Sequence, residues 1–99
     1  LGERSFEVRF TPGHAPGHVT LYDAECGLAL VGDVIFSKSI GRTDLPGGDF
    51  QRLMRSIREE ILTLPDDTRL LPGHGPETTV HLERIGNPFL ISQASGGFA

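Results

Sequence analysis

Near the start of the chain, apolar and polar residues alternate with a period of two. In residues 5–10, Phe6, Val8 and Phe10 fall on one side and Ser5, Glu7 and Arg9 on the other, the pattern of a half-buried strand. Residues 19–22 read as a second short strand and 23–27 as a turn. Leu28-Ala29-Leu30-Val31 is a continuous apolar run, the pattern of a strand buried on both faces, and Gly32-Asp33 ends it. The period changes after Asp49, which suits an N-cap. Phe50, Leu53, Met54, Ile57 and Ile61 recur at helical spacing. They predict a helix over about 50–62, docked by that stripe with Met54 as core filling. Pro65-Asp66-Asp67 is a turn, Arg69-Leu70-Leu71 a short strand stopped by Pro72-Gly73, and 77–85 a short helix. Residues 34–48 read as a loop containing Gly41, Pro46, Gly47 and Gly48, and loops this long inside compact domains are usually functional. From Asn87-Pro88 onward the chain reads as a Ser/Gly-rich tail with little to hold it down. The predicted order is β, β, β, α, β, α, with no internal repeat and no linker.

Composition narrows the class. Ninety-nine residues, 37% hydrophobic and 22% charged, make one globular domain or less. The net charge of −4 argues against a nucleic-acid surface, which needs clustered Lys and Arg. Arg52, Arg55 and Arg58 share one side of the predicted helix, where Glu59 and Glu60 dilute them, so they read as a solvated face. The sequence holds a single cysteine, Cys26; it reads as structural, and the absence of a partner fits a reducing, cytoplasmic setting. No run of 18 apolar residues and no secretory pattern occurs, so no membrane partner is expected.

The chemistry sits on stiff turns. Thr11-Pro12-Gly13-His14-Ala15-Pro16-Gly17-His18 cannot be helical, because two Pro-Gly pairs interrupt it. His14 lies just past the first strand, between small neighbours that let an ion approach closely. Asp33 follows the apolar run, where sheets of α/β type place binding chemistry. His74, in Leu71-Pro72-Gly73-His74-Gly75-Pro76, again follows a strand. Taken singly, each reads equally as a turn former. Together they are three strand ends, each delivering an imidazole or a carboxylate, which are zinc-type ligands. His18 opens a strand and reads as a supporting group behind the ligands; His81 reads as exposed. No serine nucleophile elbow, phosphate loop or dinucleotide fingerprint is present.

These segments, with Val31-Gly32-Asp33-Val34-Ile35-Phe36 and Ser39-Ile40-Gly41-Arg42-Thr43-Asp44-Leu45-Pro46-Gly47-Gly48 between them, resemble the C-terminal half of a metallo-β-lactamase-fold hydrolase. The similarity is to the short glyoxalase II-like, or hydroxyacylglutathione hydrolase-like, proteins, and it runs from about residue 5 to 90 in the family's order. The resemblance implies an α/β fold: half of an αββα sandwich, one mixed or antiparallel sheet with helices on one face, filling residues 1–99. It implies His14, Asp33 and His74 as metal ligands, with Asp33 bridging two divalent ions, zinc foremost and iron or manganese as substitutes. His18 matches a family histidine that is not a ligand. Arg42 matches a cationic position that contacts glutathione, although its own sequence context equally suits a pair with Asp44. The family's His-x-His-x-Asp-His motif belongs to an N-terminal half that does not occur in this chain.

The implied parent activity is thioester hydrolysis on a small-molecule substrate, by attack of a metal-activated water. This chain alone is expected to be inactive. No catalytic residue beyond the ligands is expected in it. Two alternatives stand beside that reading: a mononuclear-iron persulfide dioxygenase, and a non-catalytic fragment or scaffold of the same fold. The face meant for the missing half is expected to be apolar and to favour self-association.

Overall fold

The alternation in the first strands builds a sheet whose two sides have different fates. The computed structural model describes residues 6–94. The strands are β1 (Glu7–Phe10), β2 (Val19–Asp23), β3 (Leu28–Gly32), β4 (Ile35–Phe36), β5 (Ser39–Ile40), β6 (Arg69–Pro72) and β7 (Thr78–Thr79). The helices are α1 (Phe50–Ser56), which runs on as a π-helical turn over Ile57–Ile61, α2 (Val80–Gly86) and α3 (Pro88–Ala94). Five strands form a sheet in the order β1-β2-β3-β6-β7, and β4-β5 is a separate hairpin. Pairing is antiparallel except between β3 and β6, which are parallel. The strands β1, β3 and β6 therefore run the same way, and their C-terminal ends share one edge of the sheet. The α/β class and the mixed sheet agree with the sequence reading.

One side of the sheet is the core. Tyr22, Ala29 and Leu70 lie in one cross-strand row, with Thr20 and Val31 beside them, all buried. Tyr22, Ala29, Val31 and Leu70 belong to the cluster that includes Leu53, Met54, Ile57 and Ile61, these four fully buried. The helical stripe was therefore legible from Leu53 onward. Phe50, placed in that stripe by spacing, is instead 37% exposed. The helix starts at Asp49, whose Oδ1 accepts from the Arg52 backbone N–H at 3.0 Å, as an N-cap should. Its last turn widens: the Leu62 N–H donates to the Ile57 carbonyl, five residues back, so this part of the 50–62 helix is a π turn.

The other side of the sheet is apolar and open. Val8, Leu21, Leu30 and Leu71 form a row across β1, β2, β3 and β6. Val8 is 54% exposed, Phe10 71% and Leu30 38%. The continuous run at 28–31 is thus not buried on both faces. Its outward residues face the same way as Phe10, as strand periodicity requires. An uncovered apolar row of this kind favours association. The purified 99-residue chain is expected to sediment as more than a monomer, and Phe10→Lys with Leu30→Lys to shift it toward monomer without loss of circular-dichroism signal. A strictly monomeric parent chain would refute this.

Other elements depart from expectation. The segment 34–48 is not all loop, since it opens with the β4-β5 hairpin, turned by Lys38 at φ 63°. The helix expected from 77 begins at Val80, after the short strand β7 pairs with β6; Thr79 caps it, its Oγ1 accepting from the Leu82 N–H at 3.1 Å. The expected tail forms α3, with Asn87 capping Phe89 N–H at 3.0 Å, Pro88 in the first helical position and Leu90 buried. Ser5, expected to start the first strand, and residues 95–99 of the expected tail lie outside the described residues. No helix among the described residues is long and apolar enough to cross a membrane.

Candidate metal centre

His14, Asp33 and His74 follow β1, β3 and β6, and the shared direction of those strands brings them to one edge. His14 Nε2 stands 3.7 Å from Asp33 Oδ2, and His74 Nδ1 stands 3.6 Å from Asp33 Oδ1. Each carboxylate oxygen thus faces a different imidazole nitrogen. Both separations are too long for hydrogen bonds. They approach the spacing of two donors on one tetrahedral ion, about 3.4 Å for metal–ligand bonds near 2.0–2.1 Å. The donor set therefore fits two ions sharing Asp33, with an imidazole and a carboxylate oxygen offered to each. Among the described residues no three His, Cys, Asp or Glu side chains gather closely enough to hold one metal ion, so this chain offers each ion only part of its coordination.

The backbone around the three residues explains their placement. His14 Nδ1 lies 2.9 Å from the Arg42 carbonyl; as the donor there, it leaves Nε2 with its lone pair toward Asp33. The His14 loop is pinned to α1, because the Asp49 N–H donates to the Gly13 carbonyl at 2.7 Å and Ser56 Oγ donates to the Pro12 carbonyl at 2.7 Å. The Thr11 N–H donates to the His18 carbonyl and closes the loop at its base. The Gly73 N–H donates to the Gly32 carbonyl at 2.9 Å, which draws the His74 turn against Asp33. Arg69 and Glu77 brace that turn from outside, with Nε–Oε2 at 2.6 Å and NH2–Oε1 at 3.1 Å.

His18 lies behind the cluster. Its Nε2–H donates to the Val31 carbonyl at 3.2 Å, so that nitrogen is engaged. Gly32, at φ +56°, bares its backbone to the ring; a Cβ there would lie 2.9 Å from His18 Cε1 and Nε2. The imidazole thus supports the turn that presents Asp33. His18→Ala in the complete protein is expected to weaken metal affinity or activity about 10–100-fold, checked by metal titration; an unchanged titration would leave the ring without a supporting role.

Arg42 is 60% exposed and pairs with Asp44, at 69%, through Nε–Oδ1 at 2.9 Å and NH2–Oδ2 at 3.0 Å. This hydrogen-bonded pairing holds the Asp44 carboxyl below the ordinary carboxylate range and raises Arg42 above its own. The pair suggested by sequence context is thus formed. His81 is exposed, 3.9 Å from Asp66, and takes no part in the cluster. Cys26 is exposed in the β2-β3 turn rather than packed as a structural cysteine.

A model of the metallo-β-lactamase superfamily matches residues 1–74. The chain belongs to the metallo-β-lactamase superfamily. It is 51% identical to the probable metallo-hydrolase YqgX of Bacillus subtilis, over 91% of this chain and 43% of that protein. It is 46% identical to the hydroxyacylglutathione hydrolase GloC of Haemophilus influenzae, over 91% of this chain and 42% of that one. The fold matches the BLEG-1 B3 metallo-β-lactamase with a TM-score of 0.88 at 49% identity, covering 91% of this chain and 43% of that chain. It matches TTHA1623, solved in a di-iron-bound form, with a TM-score of 0.84 at 50% identity, covering 87% and 43%. The chain spans less than half the length of these relatives.

Within this superfamily member, the residues that sequence reasoning passed over are those of the hairpin. A cavity of about 380 Å³ opens at the cluster, lined by His14, Asp33, His74, Arg42 and, from the hairpin, Phe36, Ser39 and Ile40, with Gly41 following. The Phe36 ring lies 5.3 Å from the His74 imidazole, tilted by 31°. The signal available was the length of segment 34–48, which marked it as functional without giving its shape.

Proposed function

We propose that the chain forms the C-terminal half of a metal-dependent hydrolase site acting on small-molecule thioesters of the hydroxyacylglutathione type. The observation that carries this is Asp33, whose two oxygens each face a separate imidazole nitrogen, at 3.6 and 3.7 Å. The superfamily match and the 46% identity to a protein named as a hydroxyacylglutathione hydrolase support it. The remaining donors would come from the His-x-His-x-Asp-His motif of an N-terminal half. The occupants are two divalent ions, zinc or iron; when bound, they would polarise the thioester carbonyl and lower the pKa of a water.

The chain's own residues do the rest of its share. Asp33 supplies negative charge between the two positions. The Arg42 carbonyl fixes the ring of His14, and Phe36 backs the imidazole of His74, so both present their lone pairs at fixed angles. Phe36 and Ile40 make one wall apolar and limit water there. Arg42 stands at the rim, where its fork can exchange Asp44 for a substrate carboxylate.

Two other readings have a specific footing. The similarity to a B3 metallo-β-lactamase brings in the amide of a β-lactam ring. A mononuclear-iron persulfide dioxygenase would need one ion, and the sharing of Asp33 between two imidazoles favours two. The complete protein is expected to hydrolyse S-lactoylglutathione, to lose that activity on chelation, and to bind two ions per chain by elemental analysis. The 99-residue chain alone is expected to be inactive. Turnover of a β-lactam, or oxygen uptake with a persulfide, in the absence of thioester cleavage would overturn the reading.

A further inference from the structure

Beside the metal cavity lies a second hollow, of about 260 Å³, across the segment formed by Ile40, Gly41 and Arg42. Those three residues belong to both walls. Its far side is made by Phe50, which opens α1, and Phe89, in the first turn of α3. Both rings meet solvent, 37% and 42% exposed. Single exposed apolar residues are ordinary; two aromatics from different helices converging on one hollow are less so.

The gap between these walls is fixed by a buried polar pair. Asn87 is fully buried, and Glu83 is 1% exposed. Asn87 Oδ1 accepts from the Phe89 N–H at 3.0 Å, while its Nδ2 donates to the Ser39 carbonyl at 3.0 Å and to Glu83 Oε1 at 2.9 Å. Glu83 also accepts from the Lys38 N–H at 2.8 Å and from Thr78 Oγ1 at 2.6 Å. The same pair therefore sets both the strand that ends in Ile40 and the helix start that carries Phe89. A satisfied buried network of this kind rigidifies what it joins.

We infer that this hollow is a subsite for an apolar group of the substrate, seated between Ile40, Phe50 and Phe89 while the reacting carbonyl lies at Asp33; this rests on the hydrolase reading given above. The occupant is part of a small molecule, because the hollow is smaller than a whole ligand site and adjoins the metal cavity, with Ile40, Gly41 and Arg42 as the shared wall. It is apolar, because Ile40, Phe50 and Phe89 face it, while Arg42 and Asp44, which line its polar side, are turned to one another. An acyl chain and a thiol substituent present the same chemistry here.

The test uses the complete protein and two substrate series: acyl chains from acetyl to octanoyl on one thiol, and acetyl thioesters of small and bulky apolar thiols. Phe50→Ala and Phe89→Ala are each expected to raise the KM of the most apolar member relative to the least apolar one by about tenfold. Phe89→Leu should restore most of that ratio. Leu82→Ala, at an exposed position of α2, should leave it unchanged. The series that responds identifies the group seated there. A KM that rises equally for every member, or no change, overturns the subsite. If the protein cleaves no thioester, the hydrolase reading fails, and the subsite is tested by NMR titration with an S-octyl thioether. Saturable binding lost in Phe89→Ala then supports it; binding that is absent, or undiminished in that variant, overturns it.

Discussion

Asp33→Asn in the complete protein is expected to remove bound metal and to lower thioester turnover by more than about 100-fold, beyond the range for a supporting residue. The substitution keeps the shape of the side chain and its place at the end of β3. It replaces one oxygen with an amide nitrogen, which has no lone pair to give, and it removes the charge that screens two dications from each other. At about 4 Å that repulsion is large in any medium less polar than bulk water. Both oxygens of Asp33 face an imidazole, so both positions lose by a single change. Elemental analysis of protein purified without chelator, together with the S-lactoylglutathione rate, decides it. The comparison with His18→Ala sharpens the result, because the His18 Nε2–H is engaged by the Val31 carbonyl and its ring meets the cluster only edge-on, at His14, with centroids 6.3 Å apart. If Asp33→Asn keeps two ions and near-parental turnover while His18→Ala loses them, the two roles are exchanged.

What the sequence disclosed, and what it withheld, has a physical pattern. The stripe Leu53, Met54, Ile57, Ile61 was legible, because burial on one face imposes a period that spacing reveals; the strands at 7–10 and 19–23 stand where they were expected, but the apolar face read as buried in the first is open, with Val8 54% and Phe10 71% exposed. The convergence of His14, Asp33 and His74 was legible in part, since each follows a strand end; that β1, β3 and β6 run in one direction is a matter of topology and cannot be read from spacing. The hairpin was hidden, because strands of two residues carry no period and its turn uses Lys38 at positive φ where Gly or Asn would have given the signal. The helix α3 was hidden by a composition argument: Ser and Gly beyond it suggested a tail, while Asn87, Pro88 and Leu90 supply a cap, a first-turn proline and a buried anchor. The open apolar face was misread at 28–31 for a related reason. A continuous apolar run reads as a strand that avoids water on both sides, and in this chain the side bearing Leu30 lies open.

Gly41→Ala is expected to disrupt the site severely. Gly41 is buried, and a Cβ there would fall on the Asp33 carbonyl oxygen and lie 3.3 Å from His14 Cβ. The obstacle is backbone, so no side-chain rotation relieves it. The Gly41 N–H also donates to the Val34 carbonyl at 3.0 Å, closing the base of the hairpin, and the next carbonyl, of Arg42, holds the His14 ring. Relief must therefore move the turn bearing Asp33, the ring of His14, or the hairpin with Phe36 and Ile40. Overpacking of this kind typically costs about 1–3 kcal/mol, and a displacement near 1 Å at reacting groups can cost about 100-fold in rate. The variant is thus expected to melt several degrees lower and to lose most of its metal and turnover together. Gly27→Ala, in the β2-β3 turn, is the control: its φ is +66° and its added Cβ meets nothing within 4 Å, so it strains the backbone without pressing on the cluster. Equal metal loss in both variants would show that general instability, and not the contact with Asp33 and His14, empties the site.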